Sequence, residues 1–318
     1  MRDHGGDLGA ARARFGPGEW LDLSTGINRL AYPLPPLPAS CWTDLPDAAA
    51  LESLKAAARH AYASAAPLAP LAGAQAAIQL LPRLRAPGCA RILAPTYNEH
   101  AASLAAAGWR VEEVGRPEDL AGADIAVLVN PNNPDGAARA PEELLGLLGR
   151  VGLLVVDESF ADGDPALSLA PWAGRAGLLV LRSFGKFYGL AGLRLGFALG
   201  EAQDIARLVA MAGPWPVSGA AIAVGRAALL DDRWRSETAA RLVHDAARLD
   251  ALIPLPCIGG TMLFRLYRSE DAPRAQAILA EARIWSRIFP YSAHWLRLGL
   301  PGAEPEWRRL AMAAAALA

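Results

Sequence analysis

Lysine is almost absent from this chain: of 31 basic residues in 318, only Lys55 and Lys186 are lysine. Arginine serves wherever a positive charge is enough. Lys186 stands between an apolar run and a glycine-rich turn, in LLVLRSFGKFYGLAGLRLGFALG (residues 178–200), so its amine is kept for chemistry of its own. Of the two cationic side chains only lysine can form a Schiff base, because a guanidinium stays protonated and its charge is delocalised. Lys55, in LESLKAAARH, reads as a solvated residue on an amphipathic helix. The competing reading of Lys186, an ordinary surface lysine at a strand end, has to be judged by its neighbours.

Other absences narrow the function. A net charge of -1 offers no field of one sign for nucleic acid or an anionic membrane. No stretch reaches roughly 18 uninterrupted apolar residues, and the start, MRDHGGDLGAARARFG, lacks the apolar core of an export signal, so a cytoplasmic protein is expected. Three cysteines, Cys41, Cys89 and Cys257, are odd in number, widely separated and without metal-ligand spacing, which predicts reduced thiols and no metal site. What is present, 53% hydrophobic and 20% charged residues, describes an ordered globular chain. At about 150 residues per domain, the length suggests two domains or one large one. The wealth of alanine and arginine reflects genome composition and carries no mechanism.

Residues 1–46 are rich in glycine and proline and read as an arm of extended segments and turns. Within it, WLDLSTGIN (residues 20–28) alternates as a short strand that delivers a loop at Gly26. A helix is expected from about Asp47 to Ala63. In PLAPLAGAQAAIQLLPRL, an apolar run enters Gly73-Ala74-Gln75 and a helix begins, a geometry that can present backbone N–H groups to a phosphate. From Arg91 onward short apolar strands alternate with helices, the pattern of a largely parallel sheet covered on both faces. Ligands of such sheets sit at the carboxyl ends of the strands, where Tyr97, Asn133, Asp157, Ser183 and Lys186 all fall. A helix from about Val217 to Leu230 is expected to bridge to a second unit. There, in HWLRLGL (residues 294–300), Arg297 alternates away from Leu296 and Leu298 and projects from the non-core face. The boundaries follow as arm 1–46, large domain 47–216, and interdomain helix with small domain 217–318.

An amine, a carboxylate after a buried strand, a serine, an arginine eight positions past the lysine, an aromatic ring and an asparagine together describe a holder for pyridoxal 5'-phosphate. Lys186 would form the Schiff base, Asp157 would keep the pyridine nitrogen protonated, and Asn133 would bond the ring O3'. Tyr97 would stack on the ring; Ser183, Arg194 and the loop of Gly73, Ala74 and Gln75 would hold the phosphate. Taken singly each residue has an ordinary explanation, since Asp157 can cap a helix and NPNNP is a good turn.

NPNNPDG, VVDESF and SFGKFYGLAGLRLG, in this order and spacing, resemble the class I/II aminotransferase family of fold-type I pyridoxal phosphate enzymes. The resemblance covers nearly the whole chain. It is narrower toward the branch that holds histidinol-phosphate aminotransferases and the threonine-phosphate decarboxylases of cobalamin biosynthesis, whose HGG and "LDFSxNINP" openings are similar to HGGDLGAARARFG and WLDLSTGIN. It implies an α/β fold, with a large, mostly parallel sheet domain, a smaller C-terminal α+β domain and an N-terminal arm. It also implies a homodimer in which Tyr62 of one subunit touches the other's cofactor phosphate. For a small phosphorylated amino acid it implies His4, Gly5, Gly26, Asn133, Arg287 and Arg297 as substrate-binding residues.

Two positions depart from the wider family. Arg29 follows GIN where proline is usual, so the loop near the substrate is expected to differ. Phe160 stands where the aminotransferases commonly carry tyrosine and the decarboxylases phenylalanine. The resemblance and these positions lead to an expected reaction, decarboxylation of L-threonine O-3-phosphate to 1-aminopropan-2-ol O-2-phosphate. Histidinol-phosphate transamination remains the alternative enzyme. A pyridoxal phosphate-binding regulator or scaffold is the non-catalytic one, although no helix-turn-helix module or basic extension is attached.

Overall fold

The computed structural model describes residues 4–317, and they divide into two units. The larger takes Tyr32–Asn133 and Ala138–Ser236; the smaller takes residues 4–31, Pro134–Ala137 and 237–317. The helix Asp232–Leu252 begins in the first and ends in the second. Among the described residues no helix is long and apolar enough to cross a membrane.

The larger unit is built on a seven-stranded sheet. Its order is Leu68–Leu71, Gly196–Gly200, Leu178–Ser183, Leu154–Asp157, Ile125–Val129, Cys89–Leu93 and Arg110–Val114. Gly196–Gly200 runs antiparallel to both its neighbours, and the other pairings are parallel. The central strands IAVLV and LVVD are buried at every residue, as continuous apolar runs must be when both sheet faces are covered. Ile78, Leu104, Ile205 and Leu208 from three helices pack with Ile92, Val127, Val155 and Leu181 of the sheet in one core.

The smaller unit holds a four-stranded antiparallel sheet in the order Arg287–Phe289, Ser292–Gly299, Phe264–Arg268 and Cys257–Thr261. A parallel pair, Leu21–Asp22 with Ile284–Trp285, lies beside it in sequence but in a separate sheet.

Three expectations are corrected. The described residues of the expected arm, 4–46, are not a separate arm of extended chain: residues 4–31 belong to the smaller unit and 32–46 to the larger. Leu8–Phe15 is a helix, because Asp7 accepts from Ala10 N at its start and Gly16 ends it at φ 91°. These caps outweigh the neighbouring glycines, and Ala11 and Phe15 of this helix pack with Trp20, Ala280 and Trp285. The helix of residues 217–230 is Gly219–Leu229. It packs inside the larger unit, and the passage between units falls to Asp232–Leu252. Arg297, on the face away from Leu296 and Leu298, is 5% exposed; Gly299 N donates to Leu23 O at 2.7 Å and lays the N-terminal strand alongside.

Candidate active site

The parallel register sets Val129 beside Asp157 and Asp157 beside Leu181. Two of these strands therefore end level while the third runs two residues on to Ser183, and the segments leaving them line a cavity of about 160 Å³. Gly73, Ala74, Gln75, Tyr97, Asn133, Asp157, Ser183, Lys186 and Arg194 all line it. Lys186 lies on the one-turn helix Phe184–Phe187, immediately after the strand that Ser183 ends. It is half-buried, with Nζ 5.7 Å above the centroid of the Phe160 ring.

Asp157 is 2% exposed. Its Oδ1 accepts from Ser159 N at 2.9 Å and Ser159 Oγ at 2.5 Å, and Oδ2 lies 2.9 Å from His100 Nε2. A carboxylate only accepts, so Nε2 carries the proton of that bond. Burial pushes the Asp157 carboxyl upward, but the bonds from His100 and Ser159 prevail and hold it below the ordinary carboxylate range. It is a buried anion at the cavity wall. His100, on Glu99–Ala106, is fully buried, and its Nδ1 has no partner. Sequence reasoning passed over this residue. Its only signal is an ionisable side chain one helical turn after Tyr97, in the otherwise small and apolar HAASLAAA.

The opposite end of the cavity is formed for an anion. Gly73 precedes the helix Ala74–Leu80, which has no side-chain cap. The φ of +83° at Gly73 suits glycine, and a Cβ there would come 2.8 Å from Arg194 Nη2. Arg194 itself sits at φ +54°, and its guanidinium donates to Ala191 O at 3.1 Å and Ala72 O at 3.4 Å. The Gln75 side chain turns elsewhere: its Oε1 accepts from the Tyr97 hydroxyl at 3.1 Å and its Nε2 donates to Glu99 Oε2 at 3.0 Å. Gln75 therefore ties the Tyr97 hydroxyl to Glu99.

Behind this wall lies a charged cluster that the sequence did not reveal. Arg182, just before Ser183, donates to Glu158, just after Asp157, and to Asp162, each at 2.6 Å. Side chains alternate along a strand, so this pair ties the two strand ends from the face opposite the cavity. Burial works against the Arg182 charge, yet Asp162 and Glu158 raise its pKa above the ordinary arginine value.

Tyr62 belongs to that cluster. It is 5% exposed, with the Arg182 guanidinium 4.3 Å from its ring and Phe197 against its edge. The helix Ala48–Ala61 ends by turning Tyr62 into the core of the larger unit.

The remaining predicted residues lie in the smaller unit. Arg287 and Arg297 face each other across antiparallel strands. Arg297 donates from Nη2 to Ser24 O at 2.7 Å and lies over the rings of Phe264 and Phe289, at 4.9 and 5.8 Å. Burial, with Arg287 nearby, lowers its pKa to about 10 against the opposing pull of Tyr291 and Asp22. Gly26 is buried and His4 exposed, while Gly5 packs on Ser24. Arg29, where proline was expected, forms a two-pronged ion pair with Glu306 at the start of the last helix. The residues present fit pyridoxal phosphate: an amine for its aldehyde, a buried anion for its ring nitrogen, and an arginine beside an uncapped helix for its phosphate.

A family model described as aminotransferase class I and II matches residues 43–315. A threonine-phosphate decarboxylase of Sinorhizobium sp. is 44% identical over 325 residues, which cover 98% of this chain and 97% of that protein. A histidinol-phosphate aminotransferase of Mycobacterium bovis is 34% identical over 274 residues, 77% of this chain and 71% of that protein. Among solved structures, the histidinol-phosphate aminotransferase of Sinorhizobium meliloti in complex with pyridoxal 5'-phosphate superposes with a TM-score of 0.83 at 21% identity. That match covers 97% of this chain and 93% of the other, and speaks for the fold alone.

Proposed function

We propose that this chain, which belongs to the aminotransferase class I and II family, is a pyridoxal phosphate-dependent decarboxylase. It converts L-threonine O-3-phosphate to (R)-1-aminopropan-2-ol O-2-phosphate, in the service of cobalamin biosynthesis. The observation that carries this reading is 44% identity with a threonine-phosphate decarboxylase over nearly the full length of both chains.

Pyridoxal phosphate, when bound, takes up the electron pair of the bond broken at the substrate's α-carbon. The protein's residues supply the rest. Lys186 Nζ would hold the cofactor by its aldehyde and, as a protonated amine, would supply the proton that the substrate's α-carbon takes up in place of CO2. Asp157, kept anionic by His100 and Ser159, holds a proton on the ring nitrogen. Tyr97, bonded to Gln75, lies against the ring, and Asn133 bonds its oxygen. Gly73, Ala74, Ser183 and Arg194 hold the cofactor's phosphate. Phe160, beneath the amine, contributes no hydroxyl that would compete as a proton donor. Arg287 and Arg297, with the backbone at Gly5 and Gly26 and the His4 side chain, grip the substrate's carboxylate and phosphate.

Transamination begins from the same bound substrate. The bond that breaks is the one held perpendicular to the cofactor ring, so the anion grip decides between loss of CO2 and loss of the α-proton. By the family resemblance the working form is a homodimer in the cytoplasm.

The test is incubation of the purified holoenzyme with O-phospho-L-threonine in the absence of any keto acid. Stoichiometric CO2 and 1-aminopropan-2-ol phosphate are expected. Absence of both, with turnover of histidinol phosphate plus 2-oxoglutarate, would overturn the assignment in favour of the aminotransferase.

A further inference from the structure

In the smaller unit, the N-terminal segment and the Arg297 guanidinium meet at one buried residue, Ser24, 1% exposed. Its Oγ donates to Asp22 Oδ1 at 2.6 Å and accepts from Gly6 N at 2.7 Å. A hydroxyl has one hydrogen, so donation to Asp22 leaves a lone pair for Gly6 and makes the arrangement directional. Ser24 N donates to the same Asp22 oxygen at 2.9 Å, closing the turn that aims the Ser24 carbonyl. That carbonyl accepts from Arg297 Nη2 at 2.7 Å. The chain at Gly5 presses on the same atom, since a Cβ at Gly5 would lie 2.4 Å from Ser24 O. Ser24 is therefore tied to the opening HGG segment by its hydroxyl and to the arginine by its carbonyl.

We propose that Ser24 is the positioning residue that couples the seating of the Gly5–Gly6 backbone to the orientation of the Arg297 guanidinium, and through it to the grip on the substrate's anionic group. This rests on the reading of Arg297 as an anion-binding residue. Arg297 lies among the Phe264 and Phe289 rings with Arg287 in register beside it, and Asp22 and Tyr291 favour its charge. A planar guanidinium in such a place takes its orientation from its acceptors. Fixing one Nη on Ser24 O sets the plane in which its other N–H groups meet a carboxylate or phosphate. Loss of the Ser24 hydroxyl removes its bonds to Gly6 and Asp22 and leaves only Ser24 N on Asp22 to hold the turn, so the carbonyl is free to swing and the arginine, still charged, loses its aim.

The experiment is a double-mutant cycle on the full-length holoenzyme with Ser24→Ala, Gly5→Ala and the double variant. The readouts are KM and kcat for O-phospho-L-threonine, inhibition by inorganic phosphate, and the visible absorbance of the bound cofactor. Each single substitution is expected to raise KM and the phosphate inhibition constant about tenfold, the scale of one hydrogen bond, with kcat within about twofold and absorbance unchanged. Because both act through the same contact, the double variant is expected to match the worse single variant rather than the product of the two.

Ser64→Ala, which removes a buried hydroxyl bonded to Ala170 O in the larger unit, is expected to leave phosphate inhibition unchanged. Unchanged phosphate inhibition in Ser24→Ala, or multiplied effects in the double variant, would overturn the coupling. If Ser24→Ala does not fold, Ser24→Cys, which keeps the volume and weakens the bonds to Gly6 and Asp22, decides by the same rise in the phosphate inhibition constant. Should the wild type act on histidinol phosphate instead, phosphate inhibition still reads the coupling; a failed cycle leaves wild-type decarboxylation untouched.

Discussion

His100→Phe separates cofactor chemistry from folding, because the two effects of the change oppose one another in the empty protein. The substitution removes the 2.9 Å donor to Asp157 Oδ2. A hydrogen bond to a charged group contributes about 1.5–3 kcal/mol. It also removes the buried Nδ1 that has no partner, and relief of an unsatisfied polar atom returns about 1–3 kcal/mol. The stability of the cofactor-free protein at neutral pH should therefore change by no more than about 2 kcal/mol. Cofactor binding has no such offset, because the carboxylate that faces the ring nitrogen becomes a weaker anion partner. At about 1.4 kcal/mol per tenfold, affinity for pyridoxal phosphate should fall by about tenfold.

The acid limb of stability should shift as well. The Asp157 carboxyl lies below its ordinary range in the folded protein, so its contribution is present above the unfolded value and is lost as pH falls through the folded one. Without His100 that loss begins at higher pH. Urea unfolding of the cofactor-free protein across pH, and titration of pyridoxal phosphate followed by absorbance, measure both quantities. Unchanged cofactor affinity together with an unmoved acid limb would refute the assignment of His100 to Asp157.

Lys186→Arg should abolish covalent attachment, read as the absence of a cofactor mass adduct after borohydride reduction, since a guanidinium cannot form the Schiff base. Gly73→Ala places a β-carbon at φ +83° and 2.8 Å from Arg194 Nη2. It should weaken binding of pyridoxal phosphate at least about tenfold, while phosphate-free pyridoxal, titrated in parallel, is little affected. Arg182→Met leaves Glu158 and Asp162 buried without their cation and should lower stability in urea by about 3–5 kcal/mol; Arg182→Met with Glu158→Met should recover part of it.

The chemistry at the strand ends was legible in the sequence because it depends on local order. An apolar run sets where a strand stops, and the residue types that follow, Asp157 after LVV and Lys186 after Ser183, name the atoms delivered there. Scarcity of lysine marked Lys186 before any neighbour was known. The alternation of residues 294–300 correctly separated Arg297 from Leu296 and Leu298, but not what lies on its side of the sheet. That was decided by residues 21–24, some 270 positions away in sequence, pairing along the strand. The same holds for His100 beneath Asp157, for the turning of Tyr62 into the core beside Arg182, and for the docking of the N-terminal helix in the smaller unit. Side-chain period and strand length are properties of a few consecutive residues, so the sequence by itself determined which groups reach the cavity. Which groups tune them depends on packing between segments far apart along the chain, and that only the tertiary structure decided.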